Sequence, residues 1–305
     1  MTITAPEAPH GEPPLADMAW VPAGTFLMGS DHHYPEEAPA HDITVAGFWM
    51  DRCAVTNAQF ARFVRATNHV TLAERRPDPE AYPGAPRERL VAGSSVFVAP
   101  RHRVDLRDQY AWWTWVPGAS WKHPQGPGTS TKRLADHPVV HIAYEDAEAY
   151  ARWAGKELPT EAEWERAARG GLEGATYAWG DELTPDGRHM ANVWQGEFPV
   201  VNLELDGYAG TAPVGAFPAN GYALHEMTGN VWEWTSDLYR DHDEPAPSCC
   251  TAHRAPHDIP RRVMKGGSHL CAANYCQRYR PAARMAQPVD TSTSHLGFRC
   301  VARPA

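Results

Sequence analysis

From Tyr177 to the C-terminus, Gly, Asn and Trp recur between short apolar runs and no helical period is sustained. That half of the chain is therefore expected to be irregular, with short strands. Twelve tryptophans accompany this pattern. Such rings are large apolar packing units whose N–H still needs a partner, so aromatic burial is expected to replace long regular elements. The 24 glycines and 28 prolines among 305 residues stay below the share that marks a low-complexity chain, and 43% of residues are hydrophobic, which predicts a real but loop-rich core. The length fits one large domain or two small ones, and no internal repeat or sharp composition shift marks a boundary within it.

The formal charge of −9 provides no general basic field for nucleic acid or an anionic membrane surface. No apolar run approaches the ~18–20 residues needed to span a bilayer. The opening MTITAPEAPHGEPPLADMAW has neither a basic nor an apolar signal region, so a cytoplasmic location is expected. Six cysteines are too few for a secreted disulfide scaffold, and a reducing compartment keeps them as thiols.

Residues 1–17, rich in Pro, Ala and Glu, read as a solvated tail, leaving 18–305 as the domain. Ala19 to Met28 and Ile43 to Met50 read as sheet elements. Thr56 with Gln59 forms a capping box for a helix over 57–67, with Phe60, Phe63 and Val64 on one face. A second helix runs from Tyr144 to Ala154 and stops at Gly155. A third, capped by Thr160 with Glu163, stops at Gly170-Gly171. Residues 73–110 and 241–261 read as long surface excursions, a kind of loop that often carries function.

Four groups of residues bear on chemistry. Cys271 and Cys276 are two thiols five residues apart without nearby His, a donor set suited to a soft, low-coordinate ion such as Cu(I), whereas zinc wants four ligands. Spacing alone equally allows a buried or redox-labile cysteine pair. His137-Pro-Val-Val-His141 with Glu145 has the outline of a metal site on a strand, but Pro138 and the missing third ligand favour structural roles. Cys249-Cys250 read as solvent-facing thiols in a polar loop, while Cys53 and Cys300 in apparent strands read as core residues. Asn192, Asp206, Glu226 and Glu233 offer oxygen donors of the kind hard Ca²⁺ takes, or else are turn-forming and solvated groups. Trp112, Trp113, Trp115 and Trp121 either line a peptide groove or pack internally.

Several longer blocks occur in order: WVPAGTFLMGS at 20–30, HPVVHIAYEDAEAYARWAGKELPTEAEWERAARGG at 137–171, ANVWQGEFP at 191–199, GNVWEW at 229–234, GGSHLCAANYCQRYRPAAR at 266–284 and LGFRC at 296–300. Together they resemble the formylglycine-generating enzyme, or sulfatase-modifying factor, family over nearly the whole chain. WAGKELPTEAEWE and GNVWEW are shared by a wider superfamily and speak for fold. The cysteine segment is the more specific part.

The resemblance implies a single α+β, C-type-lectin-like domain with little regular secondary structure. It also implies a copper-dependent oxidase that uses O₂ to convert the cysteine of a Cys-x-Pro-x-Arg motif in an unfolded or nascent sulfatase to Cα-formylglycine, acting as a monomer. Cys271 and Cys276 would hold Cu(I), with the substrate cysteine adding a third thiolate. Ser268, Trp232, Tyr275 and Arg284 match pocket positions. Calcium carries over to Asn192, Val193, Asp206 and Tyr208 at one site, and to Glu226, Gly229, Val231 and Glu233 at another, Glu226 standing where the family often has Asn. Further departures are His269 for an aromatic, Ala272 for a common His, and His295 for an Asn, while Asp290 and Ser292 keep the family's Asp and second Ser. Ala151 stands where secreted relatives carry a disulfide cysteine, which leaves Cys300 without that partner. Two rival readings are a noncatalytic, calcium-stabilised lectin-like binding module and a nonhaem iron sulfoxide synthase. The latter expects an upstream helical domain with a His-rich iron site, and the first 140 residues offer no helical bundle.

Overall fold

The computed structural model describes residues 15–242 and 259–304. In chain order its elements are β1 (Met18–Val21), β2 (Gly24–Met28), β3 (His41–Val45), β4 (Phe48–Asp51), α1 (Asn57–Thr67), β5 (Gly93–Phe97), β6 (Trp113–Pro117), α2 (Tyr144–Trp153), α3 (Glu161–Arg169), β7 (Trp232–Leu238), β8 (Arg261–Lys265), β9 (Arg284–Pro288), β10 (Leu296–Gly297) and β11 (Val301–Ala302). This is an α+β fold with little regular structure. The sheets follow the orders β10-β7-β8-β9 and β1-β4-β11, beside the hairpins β2-β3 and β5-β6. Among the pairings of the described strands, only β10-β7 is parallel.

The three helices follow from their ends. Thr56 accepts from the Gln59 N–H and the Gln59 side chain accepts from the Thr56 N–H, a reciprocal box that starts α1. Thr160 and Glu163 repeat it at α3, which ends at Gly170 in the left-handed region, where a Cβ is unfavourable. The buried faces of α1 and α2 place Phe60, Phe63 and Tyr150 against Trp121 and Phe298. That same cluster contains Trp232, Trp234, Cys271 and Cys276. The Trp234 indole N–H donates to the Ile142 carbonyl at 2.9 Å, so its burial leaves no orphan donor.

Four expectations are corrected. Ile43 to Met50 is not one strand: the chain breaks at Gly47, with Ile43 paired to Phe26 in one sheet and Phe48 to Val21 in another. A Cβ at Gly47 would collide with the Trp20 ring. Residues 73–110 are not all surface excursion, because they contain β5, on which Ser94 and Val96 are buried. The Ser94 hydroxyl is satisfied by the Ser292 carbonyl at 2.7 Å, so a polar residue hides an inward-facing strand position. Cys53 and Cys300 both lie outside strands, and Cys53 is only half-buried.

Val139-Val140 also lie outside any strand, and Pro138 forms only an isolated bridge with Thr56. The two histidines around them part company. His137 Nδ1 meets the Thr211 hydroxyl at 3.0 Å, while the fully buried His141 meets the Ser94 hydroxyl at 2.7 Å and the Pro124 carbonyl at 2.9 Å. A carbonyl only accepts, so the Nε2 of His141 carries a proton, and burial keeps the ring neutral at pH 7. The tail expectation falls mostly on residues outside those described, although the Asp17 carbonyl accepts from the Arg52 N–H at 3.0 Å. Cys249 and Cys250, with most of 241–261, also lie outside the described residues.

Burial lowers the His141 pKa from 6.5 to about 4, against an opposing pull from the Pro124 hydrogen bond. Because the folded value lies below the unfolded one, the stability this histidine provides as a neutral ring is whole above pH 6.5 and is lost as pH falls toward 4, on the order of 3 kcal/mol in all. In urea denaturation series, His141→Gln is expected to be less stable than the parent at pH 7, with the gap narrowing toward pH 4. A constant gap would remove His141 from the acid limb.

Candidate active site

Two successive turns bring the thiols together. The Cys271 N–H donates to the Ser268 carbonyl at 2.9 Å, and the Cys276 N–H to the Ala272 carbonyl at 2.8 Å. The first turn is reached through Gly267, whose φ is 69°, and a Cβ there would approach the Arg278 carbonyl to 2.8 Å. Glycine is thus required both for the backbone angle and for the close passage of two chain segments. The Trp194 N–H then ties the Cys271 carbonyl at 3.0 Å, fixing the turn to the 191–199 loop.

The sulfurs of Cys271 and Cys276 are 3.4 Å apart, both are free, and both are buried. Each sulfur receives one N–H: Ser268 donates its backbone N–H to Cys271 at 3.4 Å, and Arg278 Nη1 donates to Cys276 at 3.7 Å. The two thiols respond oppositely. Cys276 is pulled down by its hydrogen bond with Cys271, against burial and with help from the Arg278 charge. Cys271 is pushed up by burial and then by its neighbour sulfur. The two thiols thus share a hydrogen bond inside an apolar cluster.

Trp232 and Tyr279 share the apolar cluster around the thiols. Tyr275 is 39% exposed and stacks on Phe198 with ring centroids 4.6 Å apart, so it marks the rim. Phe198 also touches Phe97, Trp112 and Trp194. Of the four tryptophans considered for a groove, Trp112 and Trp121 are buried, whereas Trp115 is exposed and Trp113 half-buried against His295. The buried Ser268 hydroxyl accepts from the Leu270 N–H at 3.2 Å.

Arg284, expected at the pocket, makes no hydrogen bond to either thiol. Its Nε and Nη2 grip Glu161 at 2.7 and 2.8 Å, and Nη1 donates to the Glu36 and Arg240 carbonyls. Here it braces β9 against α3. Arg278, which sequence reasoning passed over, is the arginine that reaches a thiol. Its place two residues after Cys276 was the available signal.

The departures are accommodated by hydrogen bonds. His269 meets the Asn230 carbonyl through Nδ1 at 2.8 Å. His295 meets the Thr293 hydroxyl at 2.6 Å, and burial, followed by the repulsion its charged form would meet from protonated His269 and His141, lowers its pKa to about 3. Ala272 is fully buried beside Trp112 and Trp194.

The oxygen-donor sets differ in their fit to a hard cation. In the first, Asn192 Oδ1 is buried without a partner, while the Val193 carbonyl and the Asp206 carboxylate converge on the Gln195 amide nitrogen. The Asp206 carboxylate also accepts from the Tyr208 N–H at 3.1 Å. An orphaned buried carbonyl, one residue from the Val193 N–H that Asp206 accepts at 3.1 Å, is a donor of the kind a hard cation takes. In the second, both Glu233 oxygens are held by Arg299, one of them also by the Trp164 indole N–H. Glu226 accepts the Gly215 and Phe217 N–H groups. Arg299 already supplies the positive charge there, so this set, with Gly229 and Val231, does not fit an added cation.

Fold and site together define an α+β domain carrying a buried pair of free thiols. The sequence matches the Sulfatase-modifying factor enzyme 1-like domain over residues 4–304, and the chain belongs to that family. It is 54% identical over 296 residues to the formylglycine-generating enzyme of Mycobacterium tuberculosis, covering 95% of this chain and 99% of that protein. Identity to the formylglycine-generating enzyme of Mus musculus is 46%, over 98% of this chain and 78% of that one. Among solved structures, PvdO from Pseudomonas aeruginosa superposes with a TM-score of 0.60 at 25% identity, covering 94% of each chain.

Removing one partner of the buried Arg299–Glu233 pair leaves an uncompensated charge. Arg299→Met should therefore cost ~3–5 kcal/mol in urea denaturation. A loss below about 1 kcal/mol, the range of exposed pairs, would contradict the assignment.

Proposed function

We propose that the protein is a formylglycine-generating enzyme, which oxidises the cysteine of a Cys-x-Pro-x-Arg motif in a sulfatase to Cα-formylglycine with O₂. The observation that carries this reading is the buried pair of free thiols with sulfurs 3.4 Å apart, in a chain so similar to proteins bearing that name.

Cys271 and Cys276 would hold Cu(I), which supplies the reactivity toward O₂ that a thiol pair alone lacks. The soft donors, their number and their seclusion support that ion over zinc. The remaining residues bind, orient and exclude water. Cys276 is the more exposed thiol, at 8% against 2% for Cys271, so the substrate cysteine approaches from its side. Tyr275, backed by the buried Phe198, offers that peptide an apolar rim. Trp232, at 2% exposure, closes the inner wall against solvent. The Ser268 N–H fixes one sulfur, leaving the serine hydroxyl proton free to meet an incoming oxygen or thiolate. The partner is an unfolded or nascent sulfatase, because the reacting side chain must enter as extended peptide.

Calcium is proposed at Asn192, Val193, Asp206 and Tyr208, as a structural ion that holds the 191–208 loop under the Trp194–Cys271 tie. The free thiols support a reducing, cytoplasmic location.

Protein loaded with Cu(I), given O₂ and a Cys-x-Pro-x-Arg peptide, should yield by mass spectrometry a product in which sulfur is replaced by a carbonyl oxygen. Cys271→Ser or Cys276→Ser should abolish that product while retaining the fold. No product from fully loaded parent protein excludes the reading. Separately, EGTA is expected to lower the melting temperature, and Asn192→Ala to erase the difference between chelated and calcium-loaded samples. An EGTA-insensitive parent removes calcium from the loop.

A further inference from the structure

The short turn Pro35–Glu37 and the residue before it grip the segment that follows the second thiol. The Tyr34 hydroxyl accepts the Gln277 N–H at 3.0 Å. Glu36 Oε1 accepts from Arg278 Nε at 3.1 Å and also from Nη2, while the Arg278 guanidinium lies 3.9 Å from the centre of the Tyr34 ring. Glu37 is paired with the buried Arg280, and the Glu36 carbonyl accepts from Arg284. With two sides of its guanidinium committed in this way, Arg278 turns its remaining Nη1 to the sulfur of Cys276 at 3.7 Å.

We propose that Arg278, anchored by Glu36 and Tyr34, is a positioning residue for the metal. It fixes the Cys276 sulfur beside Cys271 and supplies the counter-charge that a buried Cu(I) bis-thiolate requires. This inference rests on the copper reading above. Two thiolates and one monovalent ion carry a net negative charge, and a guest thiolate would add another. A buried net charge is costly unless a fixed opposite charge compensates it. Ser268 gives Cys271 only a neutral N–H, so among the described residues Arg278 is the cationic donor at the pair. Glu36 does not cancel this role, because its hydrogen bonds go to the far side of the guanidinium and hold it in one orientation. Partners in the shell outside metal ligands act in this way.

The test measures Cu(I) affinity by competition with bicinchoninate, together with the ultraviolet sulfur-to-copper absorption and a urea denaturation control. Arg278→Met should weaken Cu(I) binding roughly 10- to 100-fold, the usual effect of losing an outer-shell partner. Arg278→Lys, which keeps the charge, should recover most of that loss. Glu36→Gln, which leaves the arginine in place but loosens it, should fall between the parent and Arg278→Met, and it serves as the readout if Arg278→Met fails to fold. Parent-like affinity in a folded Arg278→Met, or failing that in Glu36→Gln, overturns the positioning role and leaves the copper reading standing. A parent protein that takes up no Cu(I) overturns the copper reading and this inference with it.

Discussion

Buried arginine–carboxylate pairs hold this fold together. With short strands and three modest α-helices among the described residues, few ladder hydrogen bonds fix the loops, and charged anchors take their place. Glu37 with Arg280, Glu161 with Arg284, Glu165 with Arg169 and Lys265, and Glu233 with Arg299 are all buried. Each joins segments far apart in sequence or braces a helix end. Arginine suits the task, because its planar fork meets a carboxylate in two places and still reaches backbone carbonyls. Arg299 does both, binding Glu233 and the carbonyls of Asp51, Arg52, His225 and Glu226.

The thiol segment shows what these anchors achieve. Residues 276 to 284 carry three arginines, at 278, 280 and 284, and each meets the 36–37 turn. On the other side, the 191–199 loop ties Cys271 through Trp194. Two thiols can face one another at close range without forming a ladder or a helix because both flanks of their turn are held. The site is thereby divided between a rigid base and an exposed rim at Tyr275.

Local chemistry made much of this legible in the sequence. Thr56 with Gln59 and Thr160 with Glu163 announce their helices because a capping box is a short-range bargain between neighbours. Gly170 marks an end for the same reason. The thiols and the motif around them were readable as a donor set. What escaped depended on distance along the chain. The strand at Gly93–Phe97 is disguised by Ser94, whose partner Ser292 lies 198 residues away. Arg299 claims Glu233 across 66 residues, so a carboxylate that resembles a calcium ligand is one half of an ion pair. Arg284 does not reach the thiols because Glu161 takes it, and Arg278, for which nothing was expected, does because Glu36 directs it. Hydrophobic periodicity carries no record of such pairings.

The central claim is that two sulfurs, presented by consecutive turns and secured at both flanks, bind one soft ion and leave the third donor to a guest. X-ray absorption at the copper edge, on protein loaded with one equivalent of Cu(I) and then mixed with a Cys-x-Pro-x-Arg peptide, tests it most directly. The account predicts a first shell of sulfur alone that gains one further sulfur on adding the peptide. A shell dominated by nitrogen or oxygen, or one that the peptide leaves unchanged, would contradict it.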